Sequence, residues 1–140
     1  TGTIAELWAG SLLDARPIDG GSGAASALKM AYALWTKVSS SMLLTVRALA
    51  AAEGVDDALL AEWDISQPGT AERSEVTASM TAPKAWRFVG EMEQIASTLA
   101  ANGLPSGFGD AAADLYSRMS EFRDRPDVTL ADVLDRIERP

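Results

Sequence analysis

Residues 20–54 read GGSGAASALKMAYALWTKVSSSMLLTVRALAAAEG, and the fold turns on this stretch. Between Ala24 and Glu53 there is no proline and no glycine to interrupt a helix, and Gly54 stands where a glycine commonly closes one. The spacing predicts one helix of about thirty residues, ~45 Å long at 1.5 Å per residue. Ahead of it, Gly20, Gly21 and Gly23 read as a tight turn. They do not form a dinucleotide loop, because the third glycine of a Gly-x-Gly-x-x-Gly pattern is missing and no clear strand precedes them.

Working outward, Asp56 and Asp57 are placed to cap a short helix through Trp63, and a weaker helix follows the Pro68-Gly69 turn over 67–80. Pro83 suits a first helical turn. Behind it Trp86, Val89, Met92, Ala96 and Leu99 form an apolar stripe ending at Asn102-Gly103. A second stripe, Ala112, Leu115, Tyr116, Met119 and Phe122, follows Pro105. Thr129 with Asp132 three residues on has the form of a capping box opening a terminal helix through Arg139. On the N-terminal side, residues 3–9 read as a helix end stopped by Gly10, and Leu12 to Ile18 as an apolar connector able to form a short strand. No strand alternation is sustained and no repeat is present, so the fold class is all-α, a bundle built on one long helix over about 24–53.

At about 100° per residue, the long helix has two unlike sides. Leu28, Trp35, Val38, Met42, Val46 and Leu49 gather on one and are expected to face the core. Opposite them, around Lys29, lie Ser26, Ala33, Thr36 and Ser40. This strip of small residues is neither a charged solvent face nor a bulky core face, so a docking partner is expected there. Lys29 is read in two ways: a surface lysine whose stem lies along a neighbouring helix, or a partly desolvated amine serving acid/base chemistry. Tyr32, one turn on, could donate to a substrate oxygen or sit in an interface. Lys37 could hold an anionic group or a surface partner. Glu91 and Glu93 point to different sides of their helix and read as solvated charges. Trp8, Trp35, Trp63 and Trp86 read as core and interface anchors.

Composition narrows the chemistry. With 140 residues, 47% hydrophobic and 23% charged, the chain fits one globular domain, too short for a nucleotide domain plus a substrate domain. Twenty acidic against twelve basic side chains, a net charge of -8 and no basic run exclude nucleic acid as a partner. No apolar run reaches the roughly 18 residues of a membrane span, and a cytoplasmic protein is expected. Cysteine and histidine are both absent, which removes disulfides, thiolate and imidazole catalysis and Cys/His zinc sites. Proton chemistry falls to Lys, Asp, Glu or Tyr.

The run Gly23-Ala24-Ala25-Ser26-Ala27-Leu28-Lys29-Met30, continued by Tyr32-Ala33 and Thr36-Lys37, resembles the start of the helical C-terminal domain of the 6-phosphogluconate dehydrogenase and β-hydroxyacid dehydrogenase superfamily. It is most similar to the phosphogluconate-dehydrogenase-like branch. Arg87-Phe88-Val89-Gly90-Glu91-Met92 and Gly103-Leu104-Pro105 carry the resemblance on, so that it covers residues 20 to 124. It implies a 6-phosphogluconate dehydrogenase C-terminal-domain-like helical bundle, preceded in the whole protein by a Rossmann domain that holds NAD or NADP, with no cofactor bound by the helical part alone. Residues 1–20 would then be the tail of that domain or a linker from it, and 21–140 the substrate-side domain. The first residue being Thr1 rather than Met, with Ile4, Leu7 and Trp8 already at helical spacing, fits a chain expected to continue upstream.

The resemblance further implies that Lys29 is the acid/base lysine, that Gly23, Ser26, Tyr32 and Lys37 lie at the substrate, and that the domain forms a homodimer. The site residues differ from the superfamily pattern in three places. Tyr32 and Ala33 replace the Asn or His and the Asn that follow the lysine. Gly90-Glu91-Met92 replaces a Lys-Asp-Leu motif, with Arg87 one turn earlier as a possible substitute cation, and Ala25 replaces the second glycine. The substrates of better-known members are therefore not carried over. Read without the resemblance, the residues fit a non-enzymatic helical dimerisation or interaction module.

Overall fold

The computed structural model describes residues 6–12 and 14–138. Among them the secondary structure is entirely helical. Six α-helices follow in order: α1 (Ala24–Ala52), α2 (Asp56–Ser66), α3 (Thr70–Thr81), α4 (Ala85–Ala101), α5 (Gly107–Arg118) and α6 (Leu130–Ile137). Single 3-10 turns at Ala82–Lys84 and Ser120–Phe122 lead into α4 and out of α5. The chain divides into two compact units, residues 1–32 and 33–140, with the division inside α1.

In the first unit, residues 3–5 of the expected opening helix lie outside the described residues. Glu6 is helical and 7–10 form turns, with Ala9 N–H donating to Glu6 C=O at 3.1 Å. The strand considered for 12–18 is not formed in its described residues. Pro17 has no N–H to give a ladder and biases Arg16 toward extended backbone, so the segment runs as an irregular connector to Gly23 and α1.

The second unit begins in α1, which ends as its sequence predicts. Gly54 takes φ +70°, its N–H donates to Ala51 C=O at 3.0 Å, and the Val55 N–H reaches Ala50 C=O at 2.8 Å. This paired closure satisfies two carbonyls that would otherwise be orphaned.

Which side of α1 packs is the opposite of the expectation. Ala33, Ser41, Leu44, Arg47, Ala48 and Ala50 are buried. Leu28, Trp35, Met42 and Leu49 are 56%, 72%, 53% and 61% exposed, and Val38 and Val46 only half-buried. Side-chain bulk was the wrong guide. Small residues let another helix approach the backbone closely, and the Tyr116 hydroxyl of α5 does so by donating to the Lys37 C=O at 2.6 Å. The small strip is thus already covered over Ala33, Thr36 and Ser40, which are buried or half-buried.

Arg47 joins α1 to α2 and α3. Its Nε and Nη2 donate to the two Asp56 oxygens, each at 2.9 Å, and Nη1 donates to Ser74 Oγ at 2.6 Å. A guanidinium this buried is tolerable only because a bidentate carboxylate and a hydroxyl replace its water. Asp56 therefore does not cap α2. The cap position falls to Val55, which makes no side-chain cap bond.

The stripes of α4 and α5 meet face to face. Met92, Ile95 and Ala96 of α4 are buried with Gly109, Ala112, Ala113 and Tyr116 of α5, and Met119 and Phe122 extend the same core. Trp86, Val89 and Leu99 lie at its margin. The capping box forms: Thr129 Oγ1 accepts from Asp132 N–H at 3.2 Å, and Asp132 Oδ2 accepts from Thr129 N–H at 2.9 Å. The helix ends at Ile137 and Glu138 is already a turn, so it stops short of the expected Arg139, which itself lies outside the described residues. Of the four tryptophans, Trp63 is buried; Trp8, Trp35 and Trp86 are exposed, the last beneath the Arg123 guanidinium at 3.8 Å.

Candidate functional site

Lys29 projects from the second turn of α1 in the first unit. Ala25, Leu28, Lys29 and Tyr32 follow helical i, i+3, i+4 and i+7 spacing and so share one side of the helix. With Arg16 and Ile18 from the connector they line an open cleft of about 400 Å³. Leu28, Ala25 and Ile18 supply an apolar floor, while two cations and one phenol supply the polar groups. No carboxylate lines it. The Arg16 guanidinium also meets Asp14 at 2.5 Å, a pair with both side chains largely exposed.

The other residues singled out in the sequence fall as follows. Gly23 opens α1 with φ +105°. Ser26 is exposed on the first turn of α1 and does not line the cleft. Lys37 belongs to the second unit, where its ammonium lies 3.5 Å from Glu91 and 4.7 Å from the centre of the Phe88 ring. Phe88 stands edge-on to Tyr116, with centroids 5.3 Å apart. Lys37 is engaged in packing, and Glu91 is half-buried against it instead of solvated; Glu93 is exposed. Arg87 is exposed on α4.

Arg16 is the cleft residue that sequence reading passed over. It falls in no helical period, and its only signal was a cation set before a proline in a connector whose other charged residue is Asp14.

The described residues contain no strand ahead of Gly20–Gly23 and no strand-turn-helix unit. Nor do they group three or more acidic, His or Cys side chains as a metal site would, and no described helix is long and apolar enough to cross a membrane.

The profile of the family described as a domain of unknown function, DUF1932, matches residues 50–119, half of the chain, and the chain belongs to that family. The family's domains are found at the C-terminus of NAD-binding 6-phosphogluconate dehydrogenase-like proteins. The matched segment runs from the end of α1 through α5. No curated protein and no solved structure matches the chain.

Proposed function

We propose that this chain is the substrate-side C-terminal domain of an NAD(P)-dependent oxidoreductase, in which Lys29 is the acid/base. The observation that carries the reading is the position of Lys29. It lines an open, partly apolar cleft together with Tyr32 and is exposed. Membership in a family of C-terminal domains of NAD-binding proteins supplies the context.

A nicotinamide held on a separate Rossmann domain would supply hydride acceptor or donor chemistry. Within this chain, Lys29 would take the proton from a substrate hydroxyl as the carbonyl forms and return it in the reverse direction. Tyr32 lines the same cleft and is placed to hydrogen-bond the same oxygen. Lys29→Ala in the complete oxidoreductase is expected to lower kcat by 10² to 10⁴, the range of a lost general acid/base, with cofactor affinity unchanged. Turnover within a few-fold of the parent would remove Lys29 from the chemistry.

The domain also carries the proposed homodimer contact, on the outer side of α1. Lys29, Lys37 and Arg47 are the only charged residues of α1, and Lys37 and Arg47 turn inward, so the outer side from Ala33 onward is uncharged. In a chain of net charge -8 this is where two copies approach without like-charge repulsion. Trp35, Met42 and Leu49 are exposed there. Arg73 and Thr77 of α3 share a cleft of about 230 Å³ with Trp35, Ser39, Ser40 and Leu43. One turn along α3, Val76 and Met80 are 47% and 62% exposed. At roughly 100 Å² each, these five side chains contribute about 500 Å², much of the ~800 Å² per partner of a standard interface. The same surface supports the second reading, a helical interaction module without catalysis, and the Lys29→Ala measurement separates the two.

A further inference from the structure

We propose that Met42 and Met80 form a paired sulfoxidation site through which a peroxide separates two copies of this chain. The separation rests on the dimer reading above; the chemical selectivity for these two sulfurs does not.

The chain has no cysteine, so the sulfurs that meet an oxidant are those of its five methionines. Their surroundings differ. Met92 and Met119 are fully buried and Met30 is half-buried, whereas Met42 and Met80 are more than half exposed. A peroxide must touch the sulfur to oxidise it, so Met42 and Met80 react first. The two also share one surface. Seven residues at about 100° each return a helix to within about 20° of its starting direction. Met42 therefore lies on the side of α1 that carries Trp35 and Leu49, and Met80 on the side of α3 that carries Arg73. Trp35 and Arg73 line the same cleft.

This surface is ill suited to the oxidised form. Oxygen transfer from hydrogen peroxide breaks the O–O bond, forms an S–O bond and releases water; the sulfur loses two electrons and the peroxide gains them. A flexible apolar thioether becomes a polar sulfoxide whose oxygen needs a hydrogen-bond donor. The nearby hydroxyls of Ser39 and Ser40 already donate to the carbonyls of Trp35 and Thr36. Arg73 is the charged donor at the cleft. A second copy pressed against this side would enclose two sulfoxides from each chain and meet them largely with Trp35 and Leu49. The separate chain exposes both sulfurs to oxidant, and the sulfoxides then hold it separate.

The test is hydrogen peroxide treatment of the 140-residue chain, followed by peptide mass spectrometry and sedimentation. Met42 and Met80 are each expected to gain one oxygen before Met92 or Met119 gains any. The oxidised chain is expected to need at least about a hundredfold higher concentration to dimerise, at roughly tenfold for each buried acceptor left without a donor. Met42→Leu combined with Met80→Leu, which keeps apolar volume, is expected to dimerise like the parent and to stay dimeric after peroxide. A methionine sulfoxide reductase with a dithiol, which carries the oxygen off as water while closing to a disulfide, is expected to restore the parent's behaviour. Oxidation of Met92 or Met119 as fast as Met42 and Met80 overturns the site. A chain carrying both sulfoxides that still dimerises at the parent's concentration overturns the switch and keeps the dimer, as does a leucine pair as sensitive as the parent. Selective oxidation of a parent that never dimerises would remove the dimer reading, and the switch with it, while keeping the two sulfurs as the reactive ones.

Discussion

Tyr116 concentrates much of the second unit's chemistry in one side chain. Fully buried, it donates to the Lys37 carbonyl, stands edge-on to Phe88 and lies near Glu91, which is itself paired with Lys37. Burial first, and then the Glu91 charge, push its hydroxyl above the ordinary tyrosine range. Since the folded state favours the neutral phenol, the stability this provides is fully present below the unfolded value of about 10 and is lost as pH rises through the higher folded value. Thermal melts are therefore expected to fall more steeply above about pH 10. Tyr116→Phe is expected to cost about 1 kcal/mol at neutral pH and to flatten that alkaline limb. A limb as steep in the Phe variant as in the parent would assign it to other groups. The hydroxyl of Tyr116 was legible in the sequence only as part of an apolar stripe; its partner, a backbone carbonyl 79 positions away in sequence, was not.

Between elements, the decisive contact is the crossing of α4 and α5 at Gly109. A Cβ added there would lie 2.9 Å from Ala96 Cβ, Ala96 N and the Met92 carbonyl oxygen. Two of those atoms are backbone and cannot swing aside, so the helices approach as closely as they do only because this position is glycine. Gly109→Ala is expected to destabilise the domain by about 2–3 kcal/mol, the upper part of the range for overpacking, in chemical denaturation followed by circular dichroism. A loss under about 0.5 kcal/mol, within the range of an ordinary surface change, would show that the helices separate easily. The same principle explains the reversal on α1. The bundle packs where side chains are small and the backbone is reachable, which leaves Trp35 and Met42 outward.

For the whole molecule, that outward side predicts the assembly state. The chain is expected to sediment as a dimer, and Trp35→Glu or Met42→Glu to yield monomers of unchanged helix content, because two carboxylates would then meet across a two-fold contact. A parent chain that stays monomeric at every concentration tested would mean that the surface serves some other covering. Oligomer measurements and turnover of Lys29→Ala bear on different units of the chain, so each can fail without the other.

Helix existence was written in local signals: the unbroken run from Ala24, the Gly54 closure, Pro83 ahead of α4, and the Thr129–Asp132 box. Each acts within a few residues, where backbone geometry and hydrogen bonding are nearly independent of the rest of the chain. Lys29 was singled out by its small neighbours together with the family resemblance, and its role is a proposal. What only the tertiary structure decided was pairing across distance. Lys37 and Glu91 meet, Asp56 leaves its capping role for Arg47, and Arg16 enters the Lys29 cleft from a connector with no periodicity. The side of α1 that packs belongs to the same class. Periodicity reveals that a helix has two unlike sides, but which of them is buried depends on the shape of the surface it meets.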